Sequence, residues 1–505
     1  MTLSATAIAV TLITVASFTL LGLLQASRHT ISLETYLVSR NRVGTGMALS
    51  TIVASAMGAW ILFSPPEVGA TSGLAGILGY CIGQAAPAAI LAFMGTRIRF
   101  LMPQGHALNE YVLHRFGNAM YLLTLAIIVF YMFVYLTAEL TAIAKAVEIM
   151  AGVPLWLTAL LVMTAVFIYT LVGGLEATIF TDAIQFAVIV PLLLLSFAIA
   201  VMALGGWHSA LAPVSQTAPE LLTLAHGPGL KFGATLIIAV IAAEMFNQAN
   251  WQRVYACRTN TVMRRSFLGS ALVILPMLLL AGLLGILAMH FGFNDDRAFF
   301  SLLQALSLPG WVSMAVLVLV LALVMSSLDT LLNGIASVFT TDLVRIFPQR
   351  STADILRLTR LLTLAVGIPA IVIGAQGYNV LYLFLLADLV CAGALFPVLF
   401  GLYSRRLTGP MAFWSALAAI AIGALFFPRP DFSPWNGLPL AGDLLVSFAA
   451  PILVSAAICL GWIQLNARQG QTEAFDFGQL SRSIRPYGEE DVLASLGSSV
   501  DGSRP

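Results

Sequence analysis

Long runs of apolar residues, separated by short polar stretches, make up most of this chain. Each run is long enough to cross a bilayer as an α-helix, which takes about 20 residues. A helix also satisfies its backbone hydrogen bonds within the segment, as hydrocarbon requires. The pattern therefore predicts an all-α polytopic membrane protein. The thirteen predicted spans lie near 5–26, 47–73, 76–97, 118–148, 153–173, 178–203, 230–252, 266–291, 311–340, 356–375, 378–403, 409–427 and 443–464.

The composition agrees with this prediction and excludes other classes of protein. Hydrophobic residues make up 59% of the 505 residues and charged residues only 9%, whereas soluble domains carry roughly 25% charge. A core large enough to hide this much apolar surface does not exist in water. A soluble enzyme, a nucleic-acid-binding protein and a disordered protein are thus excluded. The expected partner of the apolar surface is the lipid bilayer.

The residues that usually carry out catalysis form no recognisable set. The six histidines are scattered, and neither a nucleophile–base set nor a zinc motif is present. The four cysteines, Cys81, Cys257, Cys391 and Cys459, lie in or beside apolar runs. Their spacing fits neither a metal site nor a disulfide framework. We therefore expect no enzymatic activity and no cofactor.

Positive charges are distributed unequally between the two sides of the predicted bundle. If the N-terminus is outside, most of the 24 Lys and Arg residues fall in inner loops, as the positive-inside rule requires. We therefore expect the N-terminus out and the C-terminus in, in the inner (plasma) membrane of a cell. Residues 1–466 form the predicted transmembrane domain. The polar segment 467–505 is predicted to be a mostly disordered cytoplasmic tail.

Two predicted spans carry features that interrupt a helix. The second contains Pro65 and Pro66, which lack backbone donors and cannot continue an α-helix. The seventh ends in the run 244–253, which is too polar to face lipid. Interrupted helices expose carbonyl groups that bind cations and N–H groups that bind anionic groups. Because the two breaks lie five spans apart, the sequence predicts two five-helix repeats of inverted topology, about 47–203 and 230–403.

The ninth span carries a stripe of oxygen-bearing side chains. Ser326, Asp329, Thr330 and Asn333 recur every three or four residues and so share one helix face. Ser327 lies at the edge of that face. Hard cations bind to such oxygens, and the acid in this hydroxyl-rich stretch favours a cation site over serines that only bond their own helix.

Other polar residues inside the spans leave their roles open. Asp182 in the sixth span is either a structural hydrogen-bonding partner or a cation ligand. Tyr135 and Glu139 lie one turn apart in the fourth span, a spacing that fits packing as well as binding. Glu67 follows the second-span prolines, and an acid there costs about 2.5–3.5 kcal/mol in hydrocarbon, which favours a functional role. Asp388 is a buried acid to which the sequence assigns no role.

Five motifs, in the family's order along the chain, resemble the sodium:solute symporter family. The resemblance implies the LeuT-type fold, with an extracellular N-terminus, a cytoplasmic C-terminus and often thirteen helices. It also implies a transporter driven by Na⁺. The motifs are Glu110-Tyr111 with Arg115-Phe116-Gly117; Gly173-Gly174 with Ala177, Thr181, Asp182 and Gln185; Phe246-Asn247-Gln248 with Gln252-Arg253; Met325-Ser326-Ser327-Leu328; and Phe339-Thr340-Thr341-Asp342-Leu343.

The resemblance further implies where ions bind. Backbone carbonyls of the second and ninth spans and two hydroxyls of the ninth span would hold the shared sodium ion. A second cation in some members is bound by positions that match an aspartate of the sixth span and polar residues of the ninth. In this chain Asp329 replaces a smaller hydroxyl residue, so this second site could hold a cation more strongly or take a proton. The implied sodium-binding residues are Ala54, Met57, Leu323, Ser326 and Ser327. The possible second-cation residues are Asp182, Asp329 and Thr330.

The solute predicted from the resemblance is an amino acid such as proline. Residues 54–60 are similar to the family's proline permeases, although Ala56 stands where those have an aspartate. The sugar-binding set of other members is absent, and the fourth span has no arginine to bind a sialic acid carboxylate. The predicted substrate-binding residues are Gly58, Trp60, Ser64, Tyr135, Glu244 and Asn247.

Two alternatives to sodium symport remain at this point. A proton could replace sodium as the coupling ion, carried by Glu67, Glu244 or Asp329. A transporter-like membrane sensor is the second alternative, although the tail after the last span is short for a signalling domain. The sequence gives no indication of the oligomeric state.

Overall fold

A computed structural model of the chain describes residues 3–27, 32–469 and 474–484. Within these ranges it is built of helices, with a single isolated β-bridge between Val43 and Cys257. The α-helices are α1 Leu3–Ala26, α2 Leu33–Leu37, α3 Thr45–Ala56, α4 Ser64–Leu101, α5 Leu108–Phe116, α6 Asn118–Ala151, α7 Leu155–Ala203, α8 Trp207–Thr217, α9 Gly227–Glu244, α10 Gln248–Ala256, α11 Asn260–Ala288, α12 Ala298–Ala305, α13 Gly310–Ile346, α14 Thr352–Gly374, α15 Val380–Phe400, α16 Gly409–Phe426, α17 Leu444–Arg468 and α18 Gly478–Ser483. Short 3-10 turns lie at Ala59–Leu62, Pro219–Leu222 and Met289–Phe291.

Eleven helices of the described ranges are long and apolar enough to cross a membrane. Two of them, α4 and α7, each join two predicted spans at a glycine with positive φ, Gly73 at 63° and Gly174 at 59°. A side chain rarely adopts this conformation, so glycine allows the chain to turn between the two helices. Every predicted span thus has a helical counterpart. The number of crossings and the side of each terminus stay predictions.

The predicted interruption of the second span is present. Helix α3 ends at Ala56, and Met57 is extended, with φ −107° and ψ 94°. A 3-10 turn follows before α4 begins at Ser64, with Pro65 and Pro66 in its first turn. Proline is tolerated there because first-turn N–H groups have no partner within the helix. The prolines therefore begin a new helix after the break.

The seventh predicted span is interrupted as well. Helix α9 ends at Glu244 and α10 begins at Gln248. Asn247 caps α10, because its side-chain oxygen accepts a hydrogen bond from the Ala249 N–H at 3.1 Å. Each half of the membrane region thus starts with a broken helix. The boundaries of the two inverted repeats stay a prediction.

The first turns of α4 pack tightly against α11. A Cβ added at Gly69 would lie 2.0 Å from the Gly282 carbonyl oxygen, and one at Gly285 would lie 1.8 Å from the Pro66 carbonyl oxygen. Glycine is therefore required on both sides of this contact. Helix α13 passes through the interior, where it packs against α3, α6 and α7.

Residues 474–484 of the predicted tail pack against the helix bundle, and the prediction of a mostly disordered tail stays a prediction. The Phe475 N–H donates to the Arg405 carbonyl at 2.9 Å. The Phe475 ring lies 4.3 Å from the Arg115 guanidinium, and the Phe477 ring lies 5.2 Å from that of Arg97. These cation–π contacts attach the segment to the helix bundle. The remainder of the predicted tail, 470–473 and 485–505, lies outside the described residues.

Candidate functional site

The residues predicted to bind sodium lie where α13 crosses the break in the second span. Helix α13 packs against both α3 and the turn Ala59–Leu62. The Ser327 hydroxyl donates to the Leu323 carbonyl at 3.2 Å and to the Val324 carbonyl at 3.1 Å. The Ala54 carbonyl accepts a hydrogen bond from the Met57 N–H at 3.2 Å. Their assignment to a sodium site stays a prediction. All five predicted residues, Ala54, Met57, Leu323, Ser326 and Ser327, are buried.

The residues predicted for a second cation surround a buried arginine. The Arg253 guanidinium donates to Asp182 Oδ2 at 2.9 Å and to the Thr330 hydroxyl at 2.8 Å. Asp182 also accepts hydrogen bonds from the Thr51 hydroxyl at 2.5 Å and the Ser326 hydroxyl at 2.6 Å. The guanidinium therefore supplies a positive charge next to the predicted second site. Binding of a further cation there stays a prediction.

Asp329 is the third residue predicted for the second cation, and its hydrogen bonds go to other residues than those of Asp182 and Thr330. Its Oδ2 accepts hydrogen bonds from the Tyr169 hydroxyl at 2.9 Å and the Thr181 hydroxyl at 3.2 Å. Its Oδ1 is buried and has no hydrogen-bonding partner among the described residues. A buried carboxylate oxygen without a donor is costly. Asp329 is thus suited to receive a cation or a proton.

Arg253 is a site residue that sequence reasoning missed. The positive-inside rule places it in an inner loop, whereas its side chain is only 1% exposed in the structure. Its Nε also donates to the Thr51 hydroxyl at 3.1 Å. The available signal was its place in the family motif that follows the second break. The charge count could not reveal that this particular arginine is buried.

A narrow cavity lies between the broken second span and helices α4, α6, α9 and α15. The volume of this cavity, measured as the space open to the centres of water molecules, is about 20 Å³. This is enough for one or two waters. Three of the six predicted substrate-binding residues line it: Trp60, Tyr135 and Glu244. The sequence did not predict the others, which are Tyr80, Gln84, Tyr131, Leu236, Val240, Ala243, Leu381, Phe384, Leu385 and Asp388.

The other three predicted substrate residues are not among the residues that line this cavity. Gly58 faces Glu139, since a Cβ added at Gly58 would lie 1.7 Å from Glu139 Oε1. Ser64 is fully buried beside Tyr80, a residue of the cavity lining. Asn247 contacts a residue of the cavity lining, because its amide donates a hydrogen bond to Glu244 Oε2 at 3.1 Å.

Four carboxylates lie around the break and the cavity. Glu139 Oε2 accepts a hydrogen bond from the Ala59 N–H at 2.8 Å. Glu67 Oε1 accepts one from the Asn379 amide at 3.0 Å. Glu244 and Asp388 line the cavity itself. The ion pairs of the described residues include none of these four acids.

Sequence comparison identifies the family to which this architecture belongs. The profile of the sodium:solute symporter family matches residues 35–419, which include both broken helices and the residues of the sodium-site prediction. The chain belongs to the sodium:solute symporter family. The family match confirms the resemblance found in the five motifs, and the broken second span of this chain lies within the matched region.

Characterised relatives transport several kinds of solute. The spermidine transporter of Candida albicans is 28% identical over 373 residues, which cover 72% of this chain and 69% of the relative. The urea–proton symporter of rice is 23% identical over 79% of this chain, which spans only 60% of that protein's length. The sodium/proline symporter of Escherichia coli is 26% identical over 79% of this chain and 83% of the relative.

Solved structures show the same fold. A Na⁺-coupled sialic acid symporter in a substrate-bound, outward-open state superposes with a TM-score of 0.73 at 17% identity. The superposition covers 90% of this chain and 98% of that chain. The nucleobase-cation-symport-1 transporter Mhp1, in a closed conformation, gives a TM-score of 0.56 at 13% identity. The predicted LeuT-type fold is therefore confirmed for this chain.

Proposed function

We propose that this protein is a sodium-coupled symporter that imports a small organic solute carrying an amino group. The solute and Na⁺ would bind together and cross the plasma membrane by alternating access. The single observation that carries the proposal is the packing of α13, which carries Ser326 and Ser327, against α3 and the turn Ala59–Leu62 of the broken second span. Membership of the sodium:solute symporter family supports the same coupling ion.

The ion in this proposal joins two parts of the protein. Hydroxyls of α13 and backbone carbonyls at the end of α3 together offer oxygen ligands, which hard cations prefer. A sodium ion between them would fix the break in one geometry and so order the cavity beside Trp60. Coupling is then reciprocal, since sodium raises solute affinity and the solute raises sodium affinity by the same factor.

The solute in this proposal binds at the cavity lined by Trp60, Tyr135 and Glu244, which has to widen to admit it, because in the conformation described it holds only one or two waters. The Glu244 carboxylate is suited to bind a protonated amine, and the aromatic rings can contact its apolar part. An amino acid such as proline, predicted from the sequence, satisfies this description, and a proline symporter is among the relatives. Spermidine, the solute named for another relative, satisfies it as well.

Proton coupling is a second candidate, favoured by one specific observation. Asp329 Oδ1 is buried without a partner among the described residues, so a proton on this oxygen would remove the cost of an unpaired charge. A proton symporter is also among the relatives. This mechanism would leave solute binding insensitive to replacement of K⁺ by Na⁺.

Thermal unfolding of the purified protein in NaCl and in KCl tests the ion assignment. Sodium should raise the melting temperature, since a ligand present at 100 times its Kd stabilises the folded state by about 2.7 kcal/mol. In the double variant Ser326→Ala, Ser327→Ala, the same shift should need a much higher sodium concentration. Ser313→Ala, on the same helix but near its start, is the matched control. An unchanged sodium dependence in the double variant would remove the site.

A further inference from the structure

Asp388 of α15 is a buried acid without a hydrogen-bonding or ion-pair partner among the described residues. It is 5% exposed and lines the cavity, yet the hydrogen bonds and ion pairs of the described residues include none to its carboxylate. Burying an unpaired charge is expensive, and acids inside membrane helices usually mark a ligand pathway. Its carboxylate therefore faces the place where a cationic group would compensate its charge.

A second acid of the same cavity is bonded only by neutral donors. Glu244 Oε2 accepts hydrogen bonds from the amides of Asn247 at 3.1 Å and Asn250 at 2.8 Å. Its Oε1 accepts one from the Tyr131 hydroxyl at 3.4 Å. These donors hold the carboxylate in place but bring no positive charge. Glu244 and Asp388 line the same cavity, so the two acids face one enclosed space.

Aromatic rings enclose this pair of acids. Trp60 lies 5.5 Å from Tyr80 and 5.6 Å from Phe384, measured between ring centroids. Tyr135 lies 4.8 Å from Phe384 and 5.8 Å from Tyr131. The faces of such rings attract organic cations, more strongly where water is excluded. The cavity lining includes no lysine, arginine or histidine.

The position where the break would hold an anionic group is already occupied. In transporters with broken helices, the free N–H groups of a half-helix bind the carboxylate of the solute. Here the Ala59 N–H donates to Glu139 Oε2 at 2.8 Å, and the absence of a side chain at Gly58 makes room for that carboxylate. The protein supplies its own anion at this point, so a carboxylate on the solute would meet a third acid.

The geometry points to a solute that is an aliphatic amine with one or more protonated amino groups and no carboxylate. Its ammonium group would bind Glu244 and Asp388, and its methylene chain would contact Trp60, Tyr135 and Phe384. This inference rests on the proposed transport function and narrows its substrate class from amino compounds in general to amines without an acid group. Putrescine is the simplest probe of this class, and proline is the comparison solute.

Calorimetric titration of the purified full-length protein in NaCl tests this assignment. Putrescine should bind, and proline should neither bind nor compete. Asp388→Asn keeps the shape of the side chain and should weaken putrescine affinity about tenfold or more, because it removes the charge that faces the ammonium group. Glu148→Gln removes an acid from α6 away from the cavity lining and should leave the affinity unchanged.

The sodium-induced rise in melting temperature separates failure of this inference from failure of the transport proposal. A variant whose melting temperature still rises with sodium is folded. If Asp388→Asn shows no such rise, Glu244→Gln is used instead, and it should lose putrescine affinity to the same extent. Proline binding equal to that of putrescine would overturn the amine class and would indicate that donors near the cavity, such as Trp60 Nε1 and the Ser64 hydroxyl, bind the carboxylate. Putrescine binding that survives both substitutions would overturn the site. Absence of the sodium effect in the unsubstituted protein would instead contradict the proposed function.

Discussion

The guanidinium of Arg253 donates a hydrogen bond to Asp182 Oδ2 at 2.9 Å, in the interior of the helix bundle. The two side chains are 1% and 0% exposed. The pair connects α10, which follows the second break, to α7 of the other half of the molecule. A movement that separates the two halves has to keep this ion pair or exchange it for other partners.

Removal of one member of this pair should destabilise the protein strongly. Asp182→Asn leaves the guanidinium buried without its counter-charge, which costs about 3–5 kcal/mol in buried pairs. The melting temperature in detergent should therefore fall well below that of the unsubstituted protein. The exposed pair Arg42–Glu176, at 3.6 Å, is the control, because Arg42→Gln should cost less than about 1 kcal/mol. If the two substitutions lowered the melting temperature equally, another group would have to compensate the charge of Arg253.

The contact between α4 and α11 should not tolerate a methyl group at Gly285. The added Cβ would lie 1.8 Å from the Pro66 carbonyl oxygen, and backbone cannot move aside as a side chain can. Gly285→Ala should cost about 1–3 kcal/mol or more and lower the melting temperature. Gly461→Ala, in α17 with no atom within 4 Å of the added Cβ, should be neutral or stabilising by about 0.5–1 kcal/mol. A tolerated Gly285→Ala would show that the two helices are not in close contact.

His106, in the loop between α4 and α5, should make stability depend on pH. Its Nε2 lies 2.7 Å from Glu34 and its Nδ1 3.2 Å from Glu110. Burial lowers the pKa of His106, but the two carboxylates outweigh burial and raise this pKa to about 9. Because the pKa in the folded state exceeds the unfolded value of about 6.5, the stabilisation is complete below pH 6.5 and is lost as the pH rises through 9.

The measurement is the melting temperature between pH 6 and 10. The full effect of the raised pKa amounts to about 3 kcal/mol, so the unsubstituted protein should lose stability over this window. His106→Gln should be less stable at pH 6 and show a flatter profile. His208→Gln, at an exposed position, should keep the profile of the unsubstituted protein. Parallel profiles for His106→Gln and the unsubstituted protein would exclude the imidazolium from this role.

The sequence alone was sufficient to predict the helices, because length and hydropathy determine which segments can cross a bilayer. It also located both breaks, since Pro65 and Pro66 cannot continue a helix and the run from Glu244 to Arg253 is too polar for lipid. Each of these features depends on residues that are neighbours in the chain.

The composition of the cavity could not be predicted in this way. Asp388 was recognised only as a buried acid, and Tyr80 and Phe384 were not singled out, because their grouping depends on how distant helices pack. Arg253 was counted as an inner-loop charge, although it bonds Asp182 and Thr330 in the interior. A charge count records the sign of a residue but not its burial. Contacts between helices decide these assignments.

Solute accumulation by the purified protein in proteoliposomes tests the central claim, sodium coupling, most directly. Radiolabelled putrescine and proline are offered separately under an inward sodium gradient, an inward potassium gradient, and a pH gradient in sodium-free buffer. Accumulation of at least one solute above its external concentration with the sodium gradient alone is the predicted result. Accumulation driven by the pH gradient without sodium would contradict the account.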